Sequence, residues 1–321
     1  DLEAVEVNFD GITYAKGASA IRQLVAWVGE KEFLGGLRAY FDKHAYGNTQ
    51  LSDLLGELEA SSGRDLSSWT TEWLETSGVN LMRAEVEIDD EGCYSSVVIV
   101  QEPPSQPEGV PHVLRSHRVA LGLYDAGATG LERVRRVEID VVGARTDVPE
   151  LVGVPAPGLL LLNDEDLTFT KIRLDERSLA TAVHSLGTLP DSLARALVWG
   201  AAWDMTRDAE MSTGDYLALV ESGLPSETDI GVVQVLLAQA KNAIELYADP
   251  AHRADYRDRL AALASRLLAD AAPGSDHQLS FARAFAAAAR TPEHAAVVRS
   301  WLSGDAPAGL AVDTDLRWTL L

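Results

Sequence analysis

The sequence has one cysteine, no apolar run of 18 residues and far fewer basic than acidic side chains. A single cysteine, Cys93, gives no disulfide framework within the chain, which favours a reducing, cytoplasmic location. The 27 basic and 49 acidic residues give a formal net charge of −22, which argues against binding to nucleic acid phosphates. Without a long apolar run, no segment is predicted to span or enter a membrane.

Several catalytic motifs are also missing. The chain contains no H-E-x-x-H, G-x-S-x-G, Walker A or Rossmann glycine motif, and no two histidines are spaced i, i+4. His112 and His117 flank the start of a predicted strand, and we predict that both lie in a surface loop rather than bind metal. His44 follows the apolar stripe of a predicted helix and should be partly buried and hydrogen-bonded. Taken alone, the residues give no complete catalytic set, so an unrelated hydrolase is disfavoured.

The length of 321 residues exceeds what one hydrophobic core usually serves, so two or three domains are predicted. The amino end, "DLEAVEVNFDG", has no Met and no features of a signal peptide. The carboxyl end, "DTDLRWTLL", has no helix stop signal. We therefore expect the sequence to be an internal or C-terminal piece of a longer chain.

Three regions differ in hydrophobic period. Residues 1–78 show a period near 3.6, with four short helices and predicted N-caps at Thr49 and Asp65. Residues 79–175 alternate with period two; "LTFTKIRL", for example, sets Ile172 against Arg173. Six or seven such strands predict a small β-sandwich. Residues 176–321 return to helical periodicity, with prolines at intervals of about 20 to 35 residues, which predicts a solenoid of stacked helix pairs resembling HEAT repeats.

Tyr14 stands at the predicted amino end of the first helix, in "ITYAKGASAIRQLVAWVG". A phenol there can point into a cleft beside free backbone N–H groups. Phenols ionise only near pH 10, so at neutral pH they can donate a hydrogen bond to a developing oxyanion. The alternative is a tyrosine that packs at the helix entry with its hydroxyl in water.

The segment from "ITYAKGASAIRQ" through "FLGGLRAYFDKHAYGN" to "SGRDLSSWTTEWLETSGVN" resembles the aminopeptidase N family of gluzincin zinc metallopeptidases. "LLLNDEDLTFTKIRLD" and "SLARALVWGAAWDMTRDAE" also look like parts of that family. The resemblance implies a multidomain α+β fold: the helical end of a thermolysin-like catalytic lobe, a β-sandwich and the first part of an α-helical solenoid. It rests first on Y-x-K-G at Tyr14–Gly17, where Ala15 replaces the frequent Glu of the family.

The resemblance implies a zinc-dependent aminopeptidase that removes single residues from peptides with a free N-terminus. Tyr14 matches the family's tyrosine, which hydrogen-bonds the oxyanion of the tetrahedral intermediate. We carry no catalytic role onto Lys16, and Gly17 is expected to permit close helix packing. The family's zinc ligands, general base and G-x-M-E-N motif are absent and are expected upstream of Asp1.

We therefore predict that this chain is a C-terminal portion of such an enzyme. Alone, it should bind no zinc and show no peptidase activity, because its partner would be the missing N-terminal catalytic portion of the same polypeptide. The alternative is a non-catalytic scaffold, a helical-repeat binding protein that kept the lobe and lost the chemistry. A long, exposed apolar groove on the helical region would favour that alternative.

Overall fold

The computed structural model describes residues 6, 11–106, 108–109 and 111–321, and for residues 11–13 the backbone alone. Contacts between Cα atoms divide the chain into two compact units. The first comprises the described residues up to Asp125 together with Arg133–Ser178, and the second comprises Ala126–Glu132 and Leu179–Leu321. The predicted helical, strand-rich and helical regions thus occur in that order, and the mixed α+β class is confirmed. In the part of the chain described, no helix is long and apolar enough to cross a bilayer.

The first unit opens with helices α1 Gly11–Val28, α2 Glu30–His44, α3 Leu51–Ser62 and α4 Ser67–Leu74. Two of the helix ends carry glycines in the left-handed region, Gly29 at φ +94° and Gly63 at φ +70°, where other residues would be strained. The apolar stripes meet in one cluster of Leu24, Val28, Leu55, Leu58, Leu66, Trp69 and Trp73. Burial of these side chains is what holds the four short helices together.

The predicted cap of α3 is displaced by one residue. Gln50, not Thr49, is the N-cap, and its backbone N–H donates to the Asp53 carboxylate over 2.8 Å. The third helical residue therefore supplies the carboxylate of the cap, and sequence preference for a Thr cap gives way to this reciprocal arrangement. At α4 the predicted cap is also displaced by one residue, because Leu66 is the N-cap and makes no side-chain cap hydrogen bond. Asp65, one residue earlier, accepts a 2.8 Å hydrogen bond from the backbone N–H of Ser67.

The described residues form seven strands: β1 Leu81–Ile88, β2 Tyr94–Glu102, β3 His117–Ala126, β4 Leu131–Val141, β5 Arg145–Asp147, β6 Leu159–Leu162 and β7 Lys171–Arg173. They lie in two sheets, ordered β5-β2-β1-β7 and β4-β3-β6. Strand β1 pairs antiparallel with β2, with Val86 opposite Val97, and parallel with β7. The strand count matches the prediction, and two separate sheets are the arrangement expected for a sandwich.

Strand β7 departs from simple alternation. Ile172 is buried as expected, yet Arg173 on the other face is only 5% exposed. Period two identifies the face of a strand to which a side chain points but not whether a neighbouring element covers that face. Here both faces of a three-residue edge strand are covered, which the sequence pattern could not indicate.

The second unit is helical. Its helical part begins within α5 Glu176–Ser185. The described helices that follow are α6 Ser192–Arg207, α7 Thr213–Gly223, α8 Ile230–Asn242, α9 Arg253–Asp270, α10 Asp276–Ala288, α11 Pro292–Leu302 and α12 Thr314–Leu320. A π-helical turn, Ala243–Tyr247, extends α8. The prolines lie in joints or at helix starts, as predicted, because proline cannot donate the hydrogen bond that a helix interior requires. The comparison with HEAT repeats remains a prediction.

The contact between α2 and α3 yields a matched pair of substitutions. A Cβ added at Gly36 would lie 2.8 Å from the Ser61 Oγ and 2.9 Å from the Glu57 carbonyl oxygen, whereas one at Gly35 would meet nothing closer than 4.0 Å. Gly36→Ala should therefore lower the free energy of unfolding by about 1–3 kcal/mol through overpacking. Gly35→Ala should raise it by about 0.5–1 kcal/mol through helix propensity. Urea unfolding of both variants checks this, and equal effects would contradict the described packing.

Candidate active site

Tyr14 is the fourth residue of α1, and its side chain is 68% exposed. Ile21 lies nearly on the same face of the helix, since seven residues rotate the chain by about 700°. It too is exposed, at 58%. The exposed face of α1 therefore carries both the phenol and an apolar side chain. The free N–H groups expected beside the phenol are those of the first turn of α1, residues 11–14. Residues 7–10, which precede this turn, lie outside the described residues.

The remainder of the Y-x-K-G motif behaves differently. Lys16 is half-buried, and desolvation, followed by repulsion from the Arg115 guanidinium, lowers the pKa of its ammonium group. The proposed role of Gly17 in close packing is wrong for the described residues, because a Cβ built there would meet nothing within 4 Å. The motif thus contributes one exposed phenol and one partly desolvated ammonium group on the same helical turn.

The positive charge of Arg115 acts on the ammonium group of Lys16. The Arg115 side chain is itself only 3% exposed. Its Nε donates to the Glu72 carbonyl over 2.8 Å, and one Nη donates to the Asn80 Oδ1 over 2.7 Å. The other Nη donates to the Thr76 hydroxyl and the Ser77 carbonyl. Arg115 therefore binds the carboxyl end of α4, where unsatisfied carbonyls and the helix dipole favour a cation.

The surface-loop prediction for His117 is wrong. His117 begins β3 and is fully buried, with Nδ1 2.7 Å from the Thr168 hydroxyl and its ring edge-on to Trp73 at 5.0 Å. Burial, and then the nearby Arg115 charge, lowers the pKa of the His117 imidazole to about 3. His112 is exposed in a loop, as predicted.

A sequence signal for this burial existed. Residues 115, 117, 119, 121 and 123 are all buried, so the period-two pattern of β3 extends back through two basic residues. The prediction for His44 is confirmed in part: its side chain is half-buried beside Tyr40, but its Nε2 has no hydrogen-bond partner among the described residues.

The resemblance implies a zinc ion, which His, Cys, Asp or Glu side chains would have to hold. Within the described ranges, no group of three or more His, Cys, Asp or Glu side chains could hold a metal ion. The buried imidazole of His117 is engaged with Thr168, and its surroundings are a cation and an indole rather than carboxylates. The residues present therefore do not fit a zinc site.

Known protein families match both the amino-terminal and the carboxyl-terminal part of the chain. Residues 159–321 match the ERAP1-like C-terminal domain, and residues 2–73 match the Peptidase family M1 domain. The chain is 55% identical, over its whole length, to 38% of Aminopeptidase N from Streptomyces lividans. It is 24% identical to Aminopeptidase M1 of Arabidopsis thaliana, over 77% of this chain and 28% of that protein. The chain thus spans less than two fifths of the length of these relatives.

A solved structure shares the fold. The aminopeptidase A of Legionella pneumophila, crystallised in complex with aspartic acid, superposes with a TM-score of 0.54 at 15% identity. The superposition covers 97% of this chain and 36% of that one. Both kinds of comparison therefore extend over the helical, strand-rich and C-terminal helical regions together.

The buried histidine makes a pH dependence testable. The folded pKa of His117 is about 3 and its ordinary value is 6.5, so the unfolded chain binds more protons between these values. Its contribution to stability is complete above pH 6.5 and is lost as the pH falls, by up to about 1.4 kcal/mol per pH unit. Urea unfolding at pH 7 and pH 5 should show this loss, and His117→Gln should reduce it. The exposed control variant His112→Gln should not reduce this loss of stability. An equal loss between pH 7 and pH 5 in all three proteins would contradict the effect assigned to His117.

Proposed function

Because the chain belongs to the M1 aminopeptidase family, we propose that it is part of a zinc-dependent aminopeptidase that removes single residues from peptide N-termini. In this proposal Tyr14 donates a hydrogen bond to the oxyanion of the tetrahedral intermediate. The observation that carries the proposal is the exposure of Tyr14, whose side chain on α1 is 68% accessible to solvent. A phenol in that position can reach a substrate bound on a neighbouring part of the polypeptide.

The chemistry suits a neutral donor. A tetrahedral intermediate concentrates negative charge on one oxygen, and preorganised donors aimed at that oxygen lower the barrier. A phenol donates without competing as a base at neutral pH. Metal binding and general-base catalysis would come from residues outside this sequence, since the described residues do not fit a zinc site.

The remaining regions would have supporting roles. We propose that the strand-rich region is a β-sandwich and that the helices after Glu176 form HEAT-like repeats that restrict access to short or unfolded peptides. The net charge of −22 suits substrates with a free amino group, although salt screens this attraction beyond about 8–10 Å. The single cysteine supports a reducing, cytoplasmic location.

The scaffold alternative has one observation in its favour. Helices of the second unit line a groove of about 350 Å³, with an apolar floor that includes Leu237, Ile244, Leu260, Ala284 and Ala288. This volume lies at the lower end of ligand pockets and is not the long groove that a peptide-binding scaffold would need. The aminopeptidase proposal therefore accounts for more of the chain, including Tyr14.

The first prediction concerns the 321-residue chain alone. It should release no p-nitroaniline from aminoacyl-p-nitroanilides and should retain well below one equivalent of zinc after gel filtration, because no metal-binding group lies in the described part. Circular dichroism and a cooperative unfolding transition provide the control that the chain is folded. Turnover with bound zinc would contradict the proposed division of labour.

The second prediction concerns Tyr14 in the complete polypeptide that carries this chain. Tyr14→Phe should lower kcat by about 10²–10³, since one oxyanion donor is removed. KM and zinc content should stay unchanged, because the phenyl ring remains and no metal ligand is altered. Tyr46→Phe is the matched control, since Tyr46 is a fully exposed tyrosine at the end of α2. Full activity of Tyr14→Phe would contradict the proposed role.

A further inference from the structure

A strained turn lies between β6 and β7. Within this 163–166 turn, Asn163, Glu165 and Asp166 have φ values of +55°, +66° and +54°. Residues other than glycine avoid this region, at a cost of about 1–2 kcal/mol each. Three such residues in four positions persist only where surrounding contacts determine the conformation. The question is what this turn holds in place.

Side-chain contacts fix the backbone of the turn from within. The Asn163 amide brackets Thr168: its Oδ1 accepts from the Thr168 N–H over 3.0 Å, and its Nδ2 donates to the Thr168 carbonyl over 2.9 Å. Asp164 is fully buried and accepts from the Tyr124 hydroxyl and from Arg133, each over 2.9 Å. A hydrogen-bonded carboxylate of this kind cannot move without leaving a buried charge unpaired.

Two arginines also hold the outer side of the turn. Arg133 pairs with Glu165 over 2.8 Å, and Arg136 pairs with the other oxygen of the same carboxylate over 2.9 Å. Attraction by Asp164 and Glu165 raises the pKa of Arg133. Gly122, on β3, lies so close to the turn that an added Cβ would meet the Asp164 carboxylate at 2.3 Å. The turn is therefore constrained on several sides.

The constrained turn presents two carbonyl oxygens to α1. The Nη2 of Arg22 donates to the Glu165 carbonyl over 2.6 Å, and its Nε donates to the Asp166 carbonyl over 2.6 Å. Both bonds come from one planar guanidinium group, so they fix its orientation as well as its position. Arg22 lies eight residues after Tyr14 on the same helix, an axial distance of about 12 Å.

A rotation of α1 about its own axis would displace the Tyr14 hydroxyl. Side chains extend about 5–6 Å from the axis of their helix, so a rotation of about 10° displaces their ends by about 1 Å. A displacement of about 1 Å at a reacting group can cost 10²-fold in rate. Leu24 and Val28 anchor the buried side of α1, but apolar contacts are non-directional and define rotation less sharply than two charged hydrogen bonds.

We propose that Arg22 is a positioning residue: by binding the 163–166 turn it sets the rotation of α1 and thereby places the Tyr14 hydroxyl. The inference rests on the proposed function of Tyr14. It extends that function to a residue that would touch neither substrate nor metal. The strained conformation of the turn then serves this positioning role, because it directs two adjacent carbonyls at one guanidinium group.

The test is a double-mutant cycle in the complete polypeptide, with the variants Arg22→Lys, Tyr14→Phe and both together. Arg22→Lys keeps the positive charge, but a lysine ammonium group cannot donate along the two directions in which the Arg22 guanidinium group donates to the Glu165 and Asp166 carbonyls. It should lower kcat by about 10-fold or more, with KM and zinc content unchanged and the melting temperature within a few degrees of the parent. In the Tyr14→Phe background the same substitution should lower kcat by less than 2-fold, because the hydroxyl it positions is gone.

The controls separate the outcomes. Arg38→Lys makes the same chemical change at an exposed site on α2 and should leave kcat unchanged. Addition of millimolar guanidinium to Arg22→Ala should restore part of kcat, because the added cation can replace the missing guanidinium group. A loss that is additive with Tyr14→Phe, or no loss at all, would overturn the positioning role while the proposed function stands. Full activity of Tyr14→Phe would instead refute the proposed function and the inference with it.

Discussion

The first unit depends on one buried cation, the guanidinium group of Arg115. A charge withdrawn from water costs several kcal/mol unless its donors are satisfied, and here each nitrogen has a partner on α4, on the segment after it or at Asn80. The carboxyl end of α4 in turn has carbonyls that its own helix cannot satisfy. The helix end and the cation thus satisfy each other's hydrogen-bonding groups. The contact joins the helical and strand-rich regions within one compact unit.

Arginine also forms partly exposed ion pairs in the first unit, although the chain has a net charge of −22. Of its 27 basic residues only five are lysines, and the fork geometry of arginine suits paired carbonyls and carboxylates. Arg118 bridges Glu138 and Asp140, and Arg64 reaches Asp140 from the loop after α3. Surface pairs of this kind contribute little singly. Together they link the loop after α3 to β3 and β4.

Much of this fold could be predicted from residue patterns, and the limits of prediction are physical. The helix ends at Gly29 and Gly63 depend on local backbone chemistry, because glycine adopts their left-handed φ values without strain. The burial of Arg173 depends on which element covers a strand face, which a single segment does not encode. Tyr14 was identified by resemblance, since one exposed phenol is ambiguous by itself. The 163–166 turn was not predictable, because its conformation is imposed by Tyr124 and Arg133, about 30 to 40 residues away.

The balance of energies in that turn bears on how α1 is held. Three left-handed residues cost about 1 kcal/mol each at least, while hydrogen bonds to charged groups contribute about 1.5–3 kcal/mol each. Taken together, the bonds from Arg22, Arg133 and Tyr124 outweigh this strain. The conformation of the turn is therefore determined by contacts with residues outside it. In the role that we propose for Arg22, a turn held in this way gives α1 a directional contact, which apolar packing does not provide.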